Sequence, residues 1–109
     1  MRTIEEIDQH ITDCQMALDD NSGYIPCEDD AYHGGMIAGF KEVKRLIERG
    51  WDAKLILHHA RVQNGAYVSR GYELRDAHQS GYTAAMCWAG EEFDWDADGN
   101  VIMREDEVN

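Results

Sequence analysis

Asp52-Ala53-Lys54-Leu55-Ile56-Leu57-His58-His59-Ala60-Arg61-Val62-Gln63-Asn64-Gly65 is the stretch on which the fold class turns. Leu55, Ile56, Leu57 and Val62 have the composition of a strand. Asn64-Gly65 is a strong two-residue hairpin signal, because both residues tolerate positive φ. The same residues admit a helix: Asp52 could cap it, and it would run through His58 and His59 to end at Asn64-Gly65. The strand reading is preferred, and the downstream sequence extends it. Tyr67, Val68, Tyr72 and Tyr82 are β-type residues, and Ser80-Gly81 reads as a turn. Asp96-Ala97-Asp98-Gly99 reads as another, with Gly99 suited to a left-handed position. Strands are expected at about 53–62, 66–74, 82–89 and 92–96, the last pairing with 100–105. Phe93 and Trp95 alternate with Asp94 and Asp96, as in a half-buried strand.

Upstream the period is helical. Ile4, Ile7, Ile11, Cys14 and Leu18 form one apolar stripe behind a Thr3/Glu6 capping box. This predicts a helix over 3–20, stopped by Asp19-Asp20-Asn21-Ser22-Gly23. A second helix is expected over 30–49, capped by Asp29 or Asp30, with Met36, Ile37, Phe40, Val43, Leu46 and Ile47 inward and Gly50 as its stop. Gly34, Gly35 and Gly39 are costly inside a helix. Close packing against the first helix would account for them. The expected architecture is α+β: an N-terminal antiparallel helical hairpin packed on a C-terminal antiparallel β-meander of about four strands. A chain of 109 residues suits a single domain, with residues 106–109 frayed.

Composition narrows the functional classes. A hydrophobic content of 43% supports a packed core, which argues against disorder despite the charge. No apolar run is long enough to span a bilayer, and the acidic, amphipathic start does not read as a secretory signal, so a cytoplasmic protein is expected. Cys14, Cys27 and Cys87 are odd in number and lack C-x-x-C spacing, which argues against a disulfide framework or a zinc ribbon.

The charge is the strongest signal. The net value is −12 and it is unevenly placed. Residues 1–40 carry one base (Arg2) and nine acids, residues 41–75 eight bases and four acids, and residues 76–109 one base and nine acids. Either the basic middle neutralises the acidic ends in the fold, or the ends face a basic partner. Acidic ends would repel nucleic-acid phosphates, so direct nucleic-acid binding is not expected.

For chemistry the inventory is thin. Ser22, Ser69 and Ser80 sit in no G-x-S-x-G turn, and no phosphate-binding glycine loop is present. Cys87 with His78 is the one pair to weigh as a thiol enzyme, although Cys87 lies in an apolar run where a buried, inert thiol is expected. His10, His33, His58, His59 and His78 show no zinc-ligand spacing. No catalytic residues are assigned and an enzyme is not expected. Asp94-Trp95-Asp96-Ala97-Asp98-Gly99 with Glu105 matches D-x-D-x-D-G-x5-E and resembles the calcium loop of the EF-hand family over twelve residues. That resemblance implies calcium held by Asp94, Asp96, Asp98, Asn100 and Glu105. The alternative is an acidic hairpin turn, which the missing exit helix and Gly90 favour.

The preferred reading is a non-enzymatic acidic protein that needs no cofactor and docks on a basic surface of a partner protein. Asp19, Asp20, Glu28, Asp29, Asp30, Glu91, Glu92, Asp94, Asp96 and Asp98 would carry the contact, with carboxylates standing where phosphates would. By size and charge alone the chain resembles the small inhibitors that phages make against host defence, anti-CRISPR proteins among them. That resemblance implies a nucleic-acid-binding or defence complex as target and the host cytoplasm as compartment.

Overall fold

The computed structural model describes residues 1–20, 27–96 and 100–103. The described residues form four helices, α1 (Ile4–Asp20), α2 (Glu28–Glu48), α3 (Ala53–Ala66) and α4 (Glu73–Ala89), then a short hairpin of β1 (Phe93–Trp95) and β2 (Val101–Met103). The two strands are antiparallel, with Phe93 opposite Met103 and Trp95 opposite Val101. This corrects the expected α+β fold. Residues 53–62 belong to α3 and 82–89 to α4, while 66–74 spans the connector between them. Beyond the hairpin no meander exists among the described residues.

The helical option for 52–65 prevails for local reasons. The Asp52 side chain accepts the Leu55 N–H at 2.9 Å, the N-cap bond that strand pairing would have to replace. Ile56 and Ala60, one helical turn apart, are buried, whereas Leu55 and Val62 face outward. Asn64-Gly65 stays within the helix, and Gly65 does not take a positive φ. Ser80-Gly81, expected as a turn, lies in the middle of α4.

The other termini follow capping chemistry. At the start of α1, Thr3 N–H donates to Glu6 Oε1 at 2.9 Å and Glu6 N–H to Thr3 Oγ1 at 3.1 Å. The Thr3 amide holds the Glu6 carboxyl below its ordinary pKa. Cys27, not Asp29 or Asp30, is the N-cap of α2, and Glu28, Asp29 and Asp30 fill the first turn, where anions suit the dipole. α2 ends in a Schellman turn. Gly50 at φ 88° donates to Ile47 C=O and Trp51 to Leu46 C=O, as the left-handed residue requires.

The centre of the molecule is the α2–α4 pair, which runs parallel, with α1 against α2 and α3 against α4. The glycines expected to face α1 face α4 instead. A Cβ on Gly35 would lie 2.0 Å from the His78 carbonyl oxygen, and one on Gly39 would lie 2.6 Å from that of Tyr82. From the other side, a Cβ on Gly81 would lie 2.1 Å from the Tyr32 carbonyl oxygen. The two backbones therefore touch, and only a missing side chain permits it. Phe40, Val43, Leu46, Ala85, Met86 and Ala89 fill the core along this line, with Ile7 of α1 and Ile56 of α3 closing it from either side. No helix among the described residues is long and apolar enough to cross a membrane.

Candidate functional site

Arg2, the one base of the first forty residues, organises the end of the bundle from which the hairpin springs. Its guanidinium lies 4.5 Å from the centre of the Trp88 ring. Its Nε donates to Trp88 C=O and its Nη2 to Phe93 C=O, each at 3.1 Å, and Nη2 reaches Asp94 Oδ1 at 2.7 Å. This anchor ties β1 to the α1/α4 corner. Trp95 then stacks on Trp88 at 5.9 Å and meets His10 at 5.5 Å. His10 also stands edge-on to Trp88 at 4.2 Å, and burial holds its pKa below the ordinary value. The imidazole is therefore neutral at neutral pH.

The hairpin leaves a cleft of about 470 Å³ along the α1–α2 seam, lined by His10, Asp13, Cys14, Tyr32, His33, Met36 and Trp95. The volume lies within the range of small-ligand pockets. A second cleft of about 280 Å³, lined by Ala17, Asp20, Cys27, Asp29, Asp30 and His33, shares the wall made by His33. The seam thus changes along its length from aromatic to acidic. On α1 its residues recur at helical spacing (His10, Asp13, Cys14, Ala17, Asp20), so one face of one helix supplies five of its twelve lining residues.

The acidic residues singled out in the sequence divide into two groups. Asp19, Asp20, Glu28, Asp29 and Asp30 lie where α1 ends and α2 begins, and Asp20, Asp29 and Asp30 line one cleft there. Among the described residues no ion pair reaches Asp19, Asp20, Glu28 or Asp29. Asp19 accepts one bond from Gln15. Asp19 and Asp20 also oppose the dipole of α1, whose last turn carries no base. Glu91 and Glu92 lie beyond the far end of α4, about 25 Å along the bundle by helix rise. There the charges are engaged internally: Glu91 pairs with the Met1 ammonium, Glu92 with Arg61 and Asp94 with Arg2. Asp96 accepts the Asn100 N–H at 2.8 Å within the hairpin. Asp98 lies outside the described residues. The structure therefore does not join the ten positions into one surface. Internal neutralisation by the basic middle is confined to Lys44–Asp8 and Arg61–Glu92 among the described residues.

The two chemical alternatives fare differently. Cys87 and His78 share α4 nine residues apart, roughly 13 Å of rise, so they form no dyad. Burial pushes the Cys87 thiol up to about 11, and the Cys14 thiol likewise to about 11. No disulfide joins the cysteines. For calcium, Asp98 and Glu105 lie outside the described residues. Asp94 is bound to Arg2, and the loop is flanked by paired strands instead of two helices. Among the described residues no three His, Cys, Asp or Glu side chains gather as a metal site.

The sequence reading missed Arg2, His10, Tyr32 and Trp95 as parts of one site. Their grouping needs α4 to be a helix that presents Trp88 to α1, whereas the local composition of 82–89 favours a strand. No family model matches the chain, and no curated protein and no solved structure matches it either.

Proposed function

We propose that the protein is a non-enzymatic binding module that docks, through the acidic end of its α1–α2 seam, onto a basic surface of another protein. The observation that carries this reading is the placement of Asp19, Asp20, Glu28 and Asp29 at one end of the α1–α2 seam with no ion pair among the described residues, two of them set against the α1 dipole. Like-charge crowding costs folding free energy, and a cationic partner would relieve it. Carboxylates in this arrangement can stand where a nucleic-acid phosphate would, so a nucleic-acid-binding protein is the class of partner favoured. Attraction over this distance speeds encounter and fades as salt rises.

The test uses two neutralised variants. Asp19→Asn/Asp20→Asn/Glu28→Gln/Asp29→Asn removes the charge of the proposed docking end, and Glu91→Gln/Glu92→Gln removes the same kind of charge where it is already paired. In capture from a bacterial lysate at low salt, the first variant is expected to lose a salt-eluted partner that the wild type and the second variant keep. An identical captured set for all three proteins would refute the acidic end as the docking surface.

A further inference from the structure

From the aromatic half of the seam we infer that the cleft between α1, α2 and the hairpin is an anchor site for an arginine side chain of the basic partner, with Trp95, Tyr32 and His10 as its aromatic walls and Asp13 as its counter-ion. The inference rests on the docking proposed above and adds a specificity that charge alone does not supply.

Three observations carry it. The cavity is large enough for a guanidinium and its alkyl stem, and its lining combines aromatic and apolar surface with one carboxylate and no Lys or Arg. Planar guanidinium groups stack on such rings and bond carboxylates in a fixed fork, whereas a lysine ammonium is a compact, strongly hydrated charge. The same aromatic cluster already holds one guanidinium, since Arg2 lies over Trp88, the ring on which Trp95 stacks. Finally, the cleft shares His33 with the acidic cleft of Asp20, Asp29 and Asp30. An arginine seated beside Trp95 would place neighbouring cations of a basic segment over those carboxylates.

The test compares capped hexa-arginine and hexa-lysine peptides, equal in charge, binding to the full-length protein at low ionic strength. The inference expects hexa-arginine to bind roughly three- to tenfold more tightly, the size of a partly exposed cation–π contact. Trp95→Leu should erase that preference while hexa-lysine binding persists. Should Trp95→Leu unfold, Asp13→Asn at an exposed position and the indole N–H shift of Trp95 in the wild-type NMR spectrum decide instead. Asp13→Asn is expected to weaken hexa-arginine more than hexa-lysine, and the indole signal to move with hexa-arginine only. Equal affinities for both peptides, or a preference that survives these changes, overturn the anchor site and leave the acidic docking surface standing. Binding of neither peptide overturns both. A protein that dimerises by itself and loses the dimer in Asp13→Asn would have a second copy of the chain in the cleft, which also overturns the assignment.

Discussion

Gly34 and Gly35 are adjacent in α2, and alanine at the two positions is expected to act in opposite directions. At Gly35 a Cβ would sit 2.0 Å from the His78 carbonyl oxygen, 2.8 Å from its carbon and 3.0 Å from its Cα. Carbon–oxygen approaches of roughly 3.3 Å are about the closest tolerated. α2 and α4 would therefore have to separate by more than ~1 Å, and the obstacle is backbone, which cannot swing aside. A gap of that size forfeits about a quarter to a half of the dispersion contact along the seam. Overpacking typically costs about 1–3 kcal/mol, and a backbone obstacle belongs at or above the top of that range. Against this stands a gain of about 1 kcal/mol in helix propensity. The net expectation for Gly35→Ala is a loss of about 2 kcal/mol, or a melting temperature lower by roughly 8–15 °C in a domain of this size. At Gly34 the nearest atom is His78 Cδ2 at 4.0 Å, an ordinary contact, so Gly34→Ala should keep the propensity gain and melt a few degrees higher. Thermal and urea unfolding followed by circular dichroism measure both. Gly81→Ala should resemble Gly35→Ala, and the double variant should cost less than the sum, because one separation relieves both clashes. A Gly35→Ala protein as stable as the wild type, or the same sign of shift at positions 34 and 35, would refute the argument that the helices touch through their backbones.

Other perturbations probe the corners of the site. Arg2→Lys loses the forked contacts to Trp88, Phe93 and Asp94 and should cost about 2 kcal/mol, read by urea unfolding; a change below ~0.5 kcal/mol would remove Arg2 from its anchoring role. Cys27 is exposed while Cys14 and Cys87 are shielded and held up to about 11, so Ellman titration of the native protein should give one fast equivalent and two more only on unfolding. His10 has a depressed pKa in the folded state, so its contribution is present above the ordinary value of 6.5 and is lost as pH falls from there toward the folded value. His10→Phe should therefore gain stability relative to the wild type between pH 7.5 and pH 5.5 (both approximate), and a constant difference would exclude a buried neutral imidazole. Because Asp94 is held by Arg2, millimolar calcium should leave the melting temperature within about 1 °C; a rise of several degrees that Asp96→Ala abolishes would reinstate the calcium loop.

How far the sequence carried the fold depends on which energies act locally. Capping is local, so Thr3/Glu6 and Gly50 were readable as helix punctuation. The α1 stripe was readable as well, since its helical period is free of competing signals. Residues 52–65 carried two local signals of similar weight, the Asp52 cap and the Asn64-Gly65 turn, and β-rich composition tipped the reading the wrong way. In α4 the β-type residue Tyr82 and the Ser80-Gly81 turn signal masked a four-residue ladder of small side chains, Ala77, Gly81, Ala85 and Ala89. The ladder matches Ala31, Gly35 and Gly39 of α2, and together they are the one signal from which the central pair could have been found.

The first two helices, the strong net acidity and the accumulation of carboxylates near residues 19–30 follow from local sequence. Each is a property of near neighbours in the chain, and each survives whatever the rest of the molecule does. The packing of the folded chain, in contrast, decided that α4 is the partner of the α2 glycines. It also decided that Glu91, Glu92 and Asp94 are engaged by Met1, Arg61 and Arg2, and that Trp95 returns to His10 beside Asp13. Those outcomes join residues as many as 92 positions apart. Whether a carboxylate ends up beside a guanidinium, or a helix beside one that can accept its bare backbone, depends on shape and burial, which no local pattern encodes.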